Sequence, residues 1–360
     1  MAACPHYHRS RSRHARYTAS FHRLLFLLLS STSLVFSCFF TSFVDAGWVT
    51  PKGTASQLRA SRTIFVDQTG KTSNFTTIQS AIDSIPLGNK RWIDIRIGPG
   101  VYREKVIIPY DKSYLIIKGT SRKLTQVIWD DHESIAQSPT FATFSTNIII
   151  KSISFRNSYN NPKNSNPRMP AVAALIAGDK TYLYRVGMYG LQDTLWDAEG
   201  RHYFRECTIQ GAVDFIFGNA QSIYEGCHIN VNGDYIEPGL AGFVTAQART
   251  SLNEQTGFVF KGCKVYGTGS VNLGRPWRSY ARVLFYRSNL TSVVVPKGWD
   301  SSAFAGYEGR LTFAEYGCYG EGANTSARVS WETKMSVDTV EKLTSISYID
   351  SDGWTQSLPI

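Results

Sequence analysis

Cysteine is scarce in this chain. Six residues in 360 are too few for a fold held together mainly by disulfides. Between residues 47 and 360 there is no low-complexity block, no run of like charge and no linker, so nothing there divides the chain into modules. Histidine in that stretch is limited to His132, His202 and His228, without the spacing of a metal site; packing or surface roles account for them. The G-x-S-x-G elbow of serine hydrolases is missing, and no group of acids suggests a Ca²⁺ site. With 42% hydrophobic residues, disorder throughout is excluded.

What the chain does have is aromatic residues and positive charge. Phe, Tyr and Trp make up 13% of it, a share that suits a β protein or a sugar binder better than a helical bundle. Lys and Arg number 38 against 28 Asp and Glu, a net charge of +10. That excess raises nucleic acid, an anionic membrane or an acidic polymer as partners.

The N-terminus narrows the choice. Arg9, Arg11, Arg13, Arg16 and Arg23 precede an uncharged apolar run from Leu24 to Val44, which ends at Asp45-Ala46-Gly47. Residues 1–46 read as a secretory leader, although a run of this length also suits an uncleaved anchor. Either way the remainder crosses the membrane, and nucleic acid drops out as a partner. Without the leader's five Arg and Asp45, 33 cationic and 27 anionic residues remain, a net +6. Sequons at Asn74, Asn289 and Asn324 suit that route as glycosylation sites. Cys207, Cys227, Cys263 and Cys318 would then sit in an oxidising compartment. Residues 47–63 read as a short linker and 64–360 as the folded domain.

Most of that domain reads as strand. One amphipathic helix is expected over Phe75 to Ile85, where Phe75, Ile78, Ile82 and Ile85 share a face and Thr76 and Thr77 can cap. The strands repeat: LYRVGMYG from Leu183, FRECTIQG from Phe204, YEGCHINV from Tyr224, FKGCKVYG from Phe260 and FYRSNLTS from Phe285. Their small residues Gly187, Cys207, Cys227, Cys263 and Ser288 recur at spacings of 20, 20, 36 and 25. Short strands of this period, each unable to bury its own face, imply stacked coils, a parallel β-helix. The spacing of 36 marks a coil with a long loop. A sandwich also has short strands with glycine, but its hairpins would not place similar residues at a 20-residue period.

Stacking turns sequence spacing into contact. Asp193 and Asp214 fall just after two successive repeats, 21 residues apart, so their carboxylates should emerge from adjacent coils on one side. Two carboxylates that close cannot both ionise easily, which leaves one to donate a proton and one to attack. Capping of turns is the competing role for each Asp. Asp214 lies among Val213, Phe215, Ile216 and Phe217, a costly setting for an unpartnered charge. Arg275 in LGRPW is the candidate partner, and Gln192 can donate its amide to an oxyanion.

With these residues the sequence resembles the plant pectin methylesterases, or pectinesterases. The resemblance rests on GVYREKV (Gly100 to Val106), GLQDTLWD (Gly190 to Asp197), IQGAVDFIFGNA (Ile209 to Ala220), VTAQART (Val244 to Thr250), LGRPW (Leu273 to Trp277) and FAEYG from Phe313. It implies an all-β, right-handed parallel β-helix with a short N-terminal helix, needing neither cofactor nor metal. It also implies removal of methyl esters from cell-wall pectin: Asp214 as nucleophile, Asp193 as acid and base, Gln192 on the oxyanion and Arg275 orienting Asp214. Thr140, Phe217 and Trp277 would meet the sugar, as would Trp196 unless it packs in the core; Cys227 would bridge to Cys263, with Cys207–Cys227 as the other pairing and plain core packing of the cysteines as the alternative. A secreted, monomeric wall enzyme follows, with pectin and a proteinaceous inhibitor as partners. Only some 15 residues separate the leader from Ile64, which implies a form without the inhibitor-like segment. One position departs from the pattern: Pro170 stands where the family usually has a second oxyanion Gln, and this opens the alternative of a weakly catalytic pectin-binding protein. Ala248 replaces a usual Gly, a minor change.

Overall fold

The structure, a computed structural model, describes residues 60–359 except Thr72 and residues 162–165. The leader and residues 47–59 of the expected linker lie outside them. The chain winds through three sheets in turn. The first has ten strands, from Arg62–Val66 to Thr312–Tyr316; the second eight, from Gly100–Tyr102 to Asn289–Leu290; the third seven, from Val106–Ile108 to Val271–Pro276. Strands pair in parallel with those of the coils before and after, which makes the fold a right-handed parallel β-helix. The first strand starts at Arg62, two residues ahead of the boundary read from the sequence.

The repeats fill the interior. Leu183, Phe204, Tyr224, Phe260 and Phe285 lie in register on successive strands of the first sheet. The four aromatic rings stack at centroid distances of 4.5, 4.5 and 4.4 Å, close to the strand spacing of about 4.8 Å. Gly187, however, pairs with Thr208, so Val186 is the residue level with Cys207. That coil is one residue longer than the spacing of 20 implied, and the correction matters for the two aspartates.

Cys207, Cys227 and Cys263 occupy equivalent buried positions, and these three and Cys318 are free thiols. This corrects the implied Cys227–Cys263 bridge, and the Cys207–Cys227 pairing is likewise not formed. Equivalent residues on parallel strands send their Cα–Cβ bonds the same way, so the sulfurs lie side by side instead of converging. Cys227 Sγ donates to the Phe204 carbonyl (3.5 Å) and Cys263 Sγ to that of Tyr224 (3.2 Å).

Helix α1 spans Ile78–Asp83 and buries Ile78, Ala81 and Ile82. It is shorter than expected because Ile85 precedes Pro86, which disfavours helical backbone there. Thr77 caps it through its hydroxyl. The Glu104 carboxylate, from GVYREKV, accepts the Ile78 and Gln79 amides at 2.8 and 3.0 Å and adds a negative charge where the helix end favours one. Helix α2 (Val337–Thr344) and the segment after it cover the outer face of the first sheet, with Leu343, Ile349, Trp354 and Leu358 against Ile149, Tyr182, Ile223, Val259 and Leu284. Of the sequons, Asn74 and Asn324 are exposed, while Asn289 is half-buried in the last strand of the second sheet.

Arg328 and Glu315 form an enclosed ion pair. Arg328 Nε lies 2.6 Å from Glu315 Oε1 and Nη2 3.1 Å from Oε2, with both side chains at most 3% exposed. Arg328 also donates to the carbonyls of Pro296 (2.8 Å), Val295 (3.3 Å) and Gly322. Removing one partner strands the other charge. Arg328→Met is expected to cost about 3–5 kcal/mol, read as a lowered denaturant midpoint; a loss below about 1 kcal/mol would show that water reaches Glu315.

Candidate active site

Asp193 and Asp214 sit at the same corner of adjacent coils, between the second and third sheets. Gln192 bridges to Val213, and the Asp193 amide donates to the Val213 carbonyl at 3.1 Å, so the two aspartates stand level, as the longer coil requires. Both adopt left-handed backbone, with φ of 59° and 49°. Asp tolerates that region better than most residues, and strained backbone of this kind concentrates at working sites. Past the corner, Trp196, Phe217, Ala246 and Arg275 stack in register along the third sheet.

That register delivers Arg275 to Asp214 from 61 residues away. Arg275 Nε meets Asp214 Oδ1 at 2.8 Å and Nη2 meets Oδ2 at 2.5 Å. The guanidinium also lies over the Phe243 ring, 4.3 Å from its centroid. A fork that engages both oxygens fixes the plane of the carboxylate. Asp193 is only 7% exposed. Burial first, and the Asp214 charge second, push its carboxyl up to about 7, with Arg275 opposing. Asp193 thus holds a proton near neutrality beside a carboxylate gripped by the arginine.

A cleft of about 560 Å³ opens over them, lined by Gln192, Asp193, Asp214, Phe217, Arg275 and Trp277, with Pro170 beside them. The half-exposed Gln192 amide makes no hydrogen bond among the described residues and lines the cleft. Phe217 stands between Trp196 and Trp277, at centroid distances of 5.5 and 5.4 Å. Trp196 backs Phe217 and does not itself line the cleft.

Thr140 departs from expectation. It is fully buried, its hydroxyl donates to the Arg156 carbonyl at 3.1 Å, and it does not line the cleft. Its backbone bonds the coils on both sides, through Val106 and Val172. Ile135, Ala246, Arg278 and residues 302–304 line the cleft without having been anticipated. The 302–304 wall is a short 3₁₀ turn without periodic pattern, so no sequence signal marked it. His202 is buried between Asp197 (2.5 Å) and the Gly178 carbonyl (3.0 Å), His132 stacks on Tyr159 and His228 packs edge-on to Tyr266.

The motif VTAQART is a brace. The Gln247 carbonyl accepts from the Trp277 amide (3.0 Å) and its side-chain oxygen from the Arg282 amide (2.8 Å). Arg249, 1% exposed, reaches the carbonyls of Glu254, Leu252 and Tyr280. Together they hold the turn that carries Trp277.

The pectinesterase family profile matches residues 63–352. A probable pectinesterase 29 of Arabidopsis thaliana is 57% identical over 301 residues, covering 82% of this chain and 90% of that protein. Probable pectinesterase 55 of the same plant is 54% identical over the same length, covering 82% and 91%. Among solved structures, the pectin methylesterase from carrot superposes with a TM-score of 0.75 at 29% identity, covering 82% of this chain and 96% of that one. An extended match, a shared fold and a cleft with two carboxylates and an arginine agree: the chain belongs to the pectinesterase family and is a hydrolase of that class.

Proposed function

We propose that the chain removes methyl esters from the homogalacturonan of plant cell walls, with Asp214 as nucleophile and Asp193 as acid and base. The observation that carries this is the Arg275 fork on Asp214 beside an Asp193 whose carboxyl is held at about 7. Asp214 attacks the ester carbonyl carbon, and the Gln192 amide receives the negative charge on the carbonyl oxygen. As the C–O bond to the methoxy group breaks, Asp193 gives its proton to the departing methanol. Asp193, now ionised, takes a proton from water, which attacks the acyl-enzyme and frees the galacturonate carboxylate with Asp214 restored. The reading includes export through the leader, a wall substrate, a monomeric enzyme and a proteinaceous inhibitor as a second partner. Exposed Asn74 and Asn324 suit glycosylation better than half-buried Asn289.

Pro170 favours a second reading. It lines the cleft where the family usually places an amide donor, and it has neither a side-chain donor nor a backbone N–H. One oxyanion donor is worth about 3 kcal/mol, roughly two orders of magnitude in rate, so the protein would bind pectin but turn it over slowly. Methanol release from highly methylated pectin separates the two. Release by the wild-type protein supports the esterase. Pro170→Gln is expected to raise kcat about tenfold or more, and activity found only in that variant would favour the binding protein.

A further inference from the structure

We propose that the rim outside the catalytic cleft, built from Tyr280, Tyr307 and Arg310, is a binding platform for a carboxylate-bearing uronate unit of the polymer. It rests on the reading of pectin as substrate and concerns a different part of the chain from the reacting ester.

Two walls of the cleft continue into this rim. Trp277 and Arg278 line one wall, Ser302, Ala303 and Phe304 another. From the first, a turn closed by the Ala281 amide on the Arg278 carbonyl brings out Tyr280. From the second, the Tyr307 amide binds the Phe304 carbonyl and the Arg310 amide binds that of Tyr307. The segments meet at Arg310, whose guanidinium lies 4.8 Å from the Tyr307 ring centroid and 5.9 Å from that of Tyr280. Arg278 repeats the arrangement over Trp277 at 5.8 Å. Rings and guanidinium groups therefore alternate outward from the cleft.

The chemistry fits an anionic sugar. The C–H face of a pyranose packs on an aromatic ring, and a guanidinium edge takes a carboxylate with two hydrogen bonds. Arg278 and Arg310 are exposed and form no ion pair among the described residues. The neighbouring Asp300 is already engaged with Lys297 and Ser302. Stacking on the rings holds Arg310 in place before binding, and the Gln247 and Arg249 brace holds the Tyr280 turn, so little freedom is lost when a ligand arrives. A methyl ester lacks the charge this rim would hold. The platform therefore prefers units that have already been de-esterified.

Calorimetric binding of a fully de-esterified galacturonate hexamer, which carries no ester to hydrolyse, tests this at fixed ionic strength. Arg310→Gln is expected to weaken binding about tenfold, the loss of one charge-assisted pair. Tyr307→Ala should weaken it severalfold, and Arg310→Lys should recover only part of the affinity because it lacks the fork. Lys90→Gln is the control for general charge. Equal affinity of wild type and Arg310→Gln would overturn the platform, as would an equal loss in Lys90→Gln. Methanol release from the same preparations keeps the two readings apart. Release with binding insensitive to Arg310 removes the platform alone; no release with binding sensitive to Arg310 removes the esterase and leaves the platform.

Discussion

Asp214→Asn is expected to lower kcat for methanol release by at least about four orders of magnitude, the scale seen when a covalent nucleophile is removed. Asn nearly matches the shape of Asp and keeps one oxygen to accept from Arg275, but it cannot form the acyl bond. Alanine is the poorer test, because it would leave a half-buried guanidinium without the two contacts at 2.8 and 2.5 Å and would mix stability with chemistry. The thermal midpoint of Asp214→Asn should stay within a few degrees of wild type, because Arg275 keeps the Phe243 ring beneath it. Residual activity above about 1% of wild type would assign the attack to another group.

The second large effect concerns pH. In the proposed mechanism the first chemical step needs Asp193 protonated, and its carboxyl is held at about 7 by burial and by the Asp214 charge. The value of kcat/KM is therefore expected to fall tenfold per unit as pH rises above about 7. Asp193→Asn should lower kcat by about 10²–10⁴ and flatten that limb. A basic limb of the same position and slope in the variant would place the titrating group elsewhere. Stability follows the same group with a definite sign. The folded carboxyl binds its proton more tightly than the unfolded one, whose ordinary value is 3.8. The folded state thus holds more protons between about pH 4 and 7, and stability declines as pH rises through that window. Asp193→Asn cannot ionise and should lose that part of the decline, measured as denaturant midpoint against pH.

Several features were legible because periodicity carries them. The repeats of Leu183, Phe204, Tyr224, Phe260 and Phe285 predicted stacked coils, and these residues form the interior column. The spacing of Asp193 and Asp214 predicted neighbours, which they are. Register was less secure. Taking Gly187 as the equivalent of Cys207 misses by one residue, because small side chains recur on both sides of each corner and do not by themselves mark the stacked position. Thr140 shows the same limit: it lies two coils from Asp193, and burial with a bond to the Arg156 carbonyl, neither visible in its spacing, takes its hydroxyl out of the cleft.

The sequence by itself determined the architecture and brought the candidate residues together. A short apolar period forces coils to stack, because no single strand can bury its own face, and the spacing of Asp193 and Asp214 sets them side by side on such a stack. The tertiary structure decided the rest. It brings Arg275 across the coils to grip Asp214, and it sets the burial that keeps a proton on Asp193. It also joins the aperiodic segments around residues 280 and 310 at the rim of the cleft. Those properties depend on distance, solvent exclusion and the approach of charges from different coils. They come into being only when the coils close on one another.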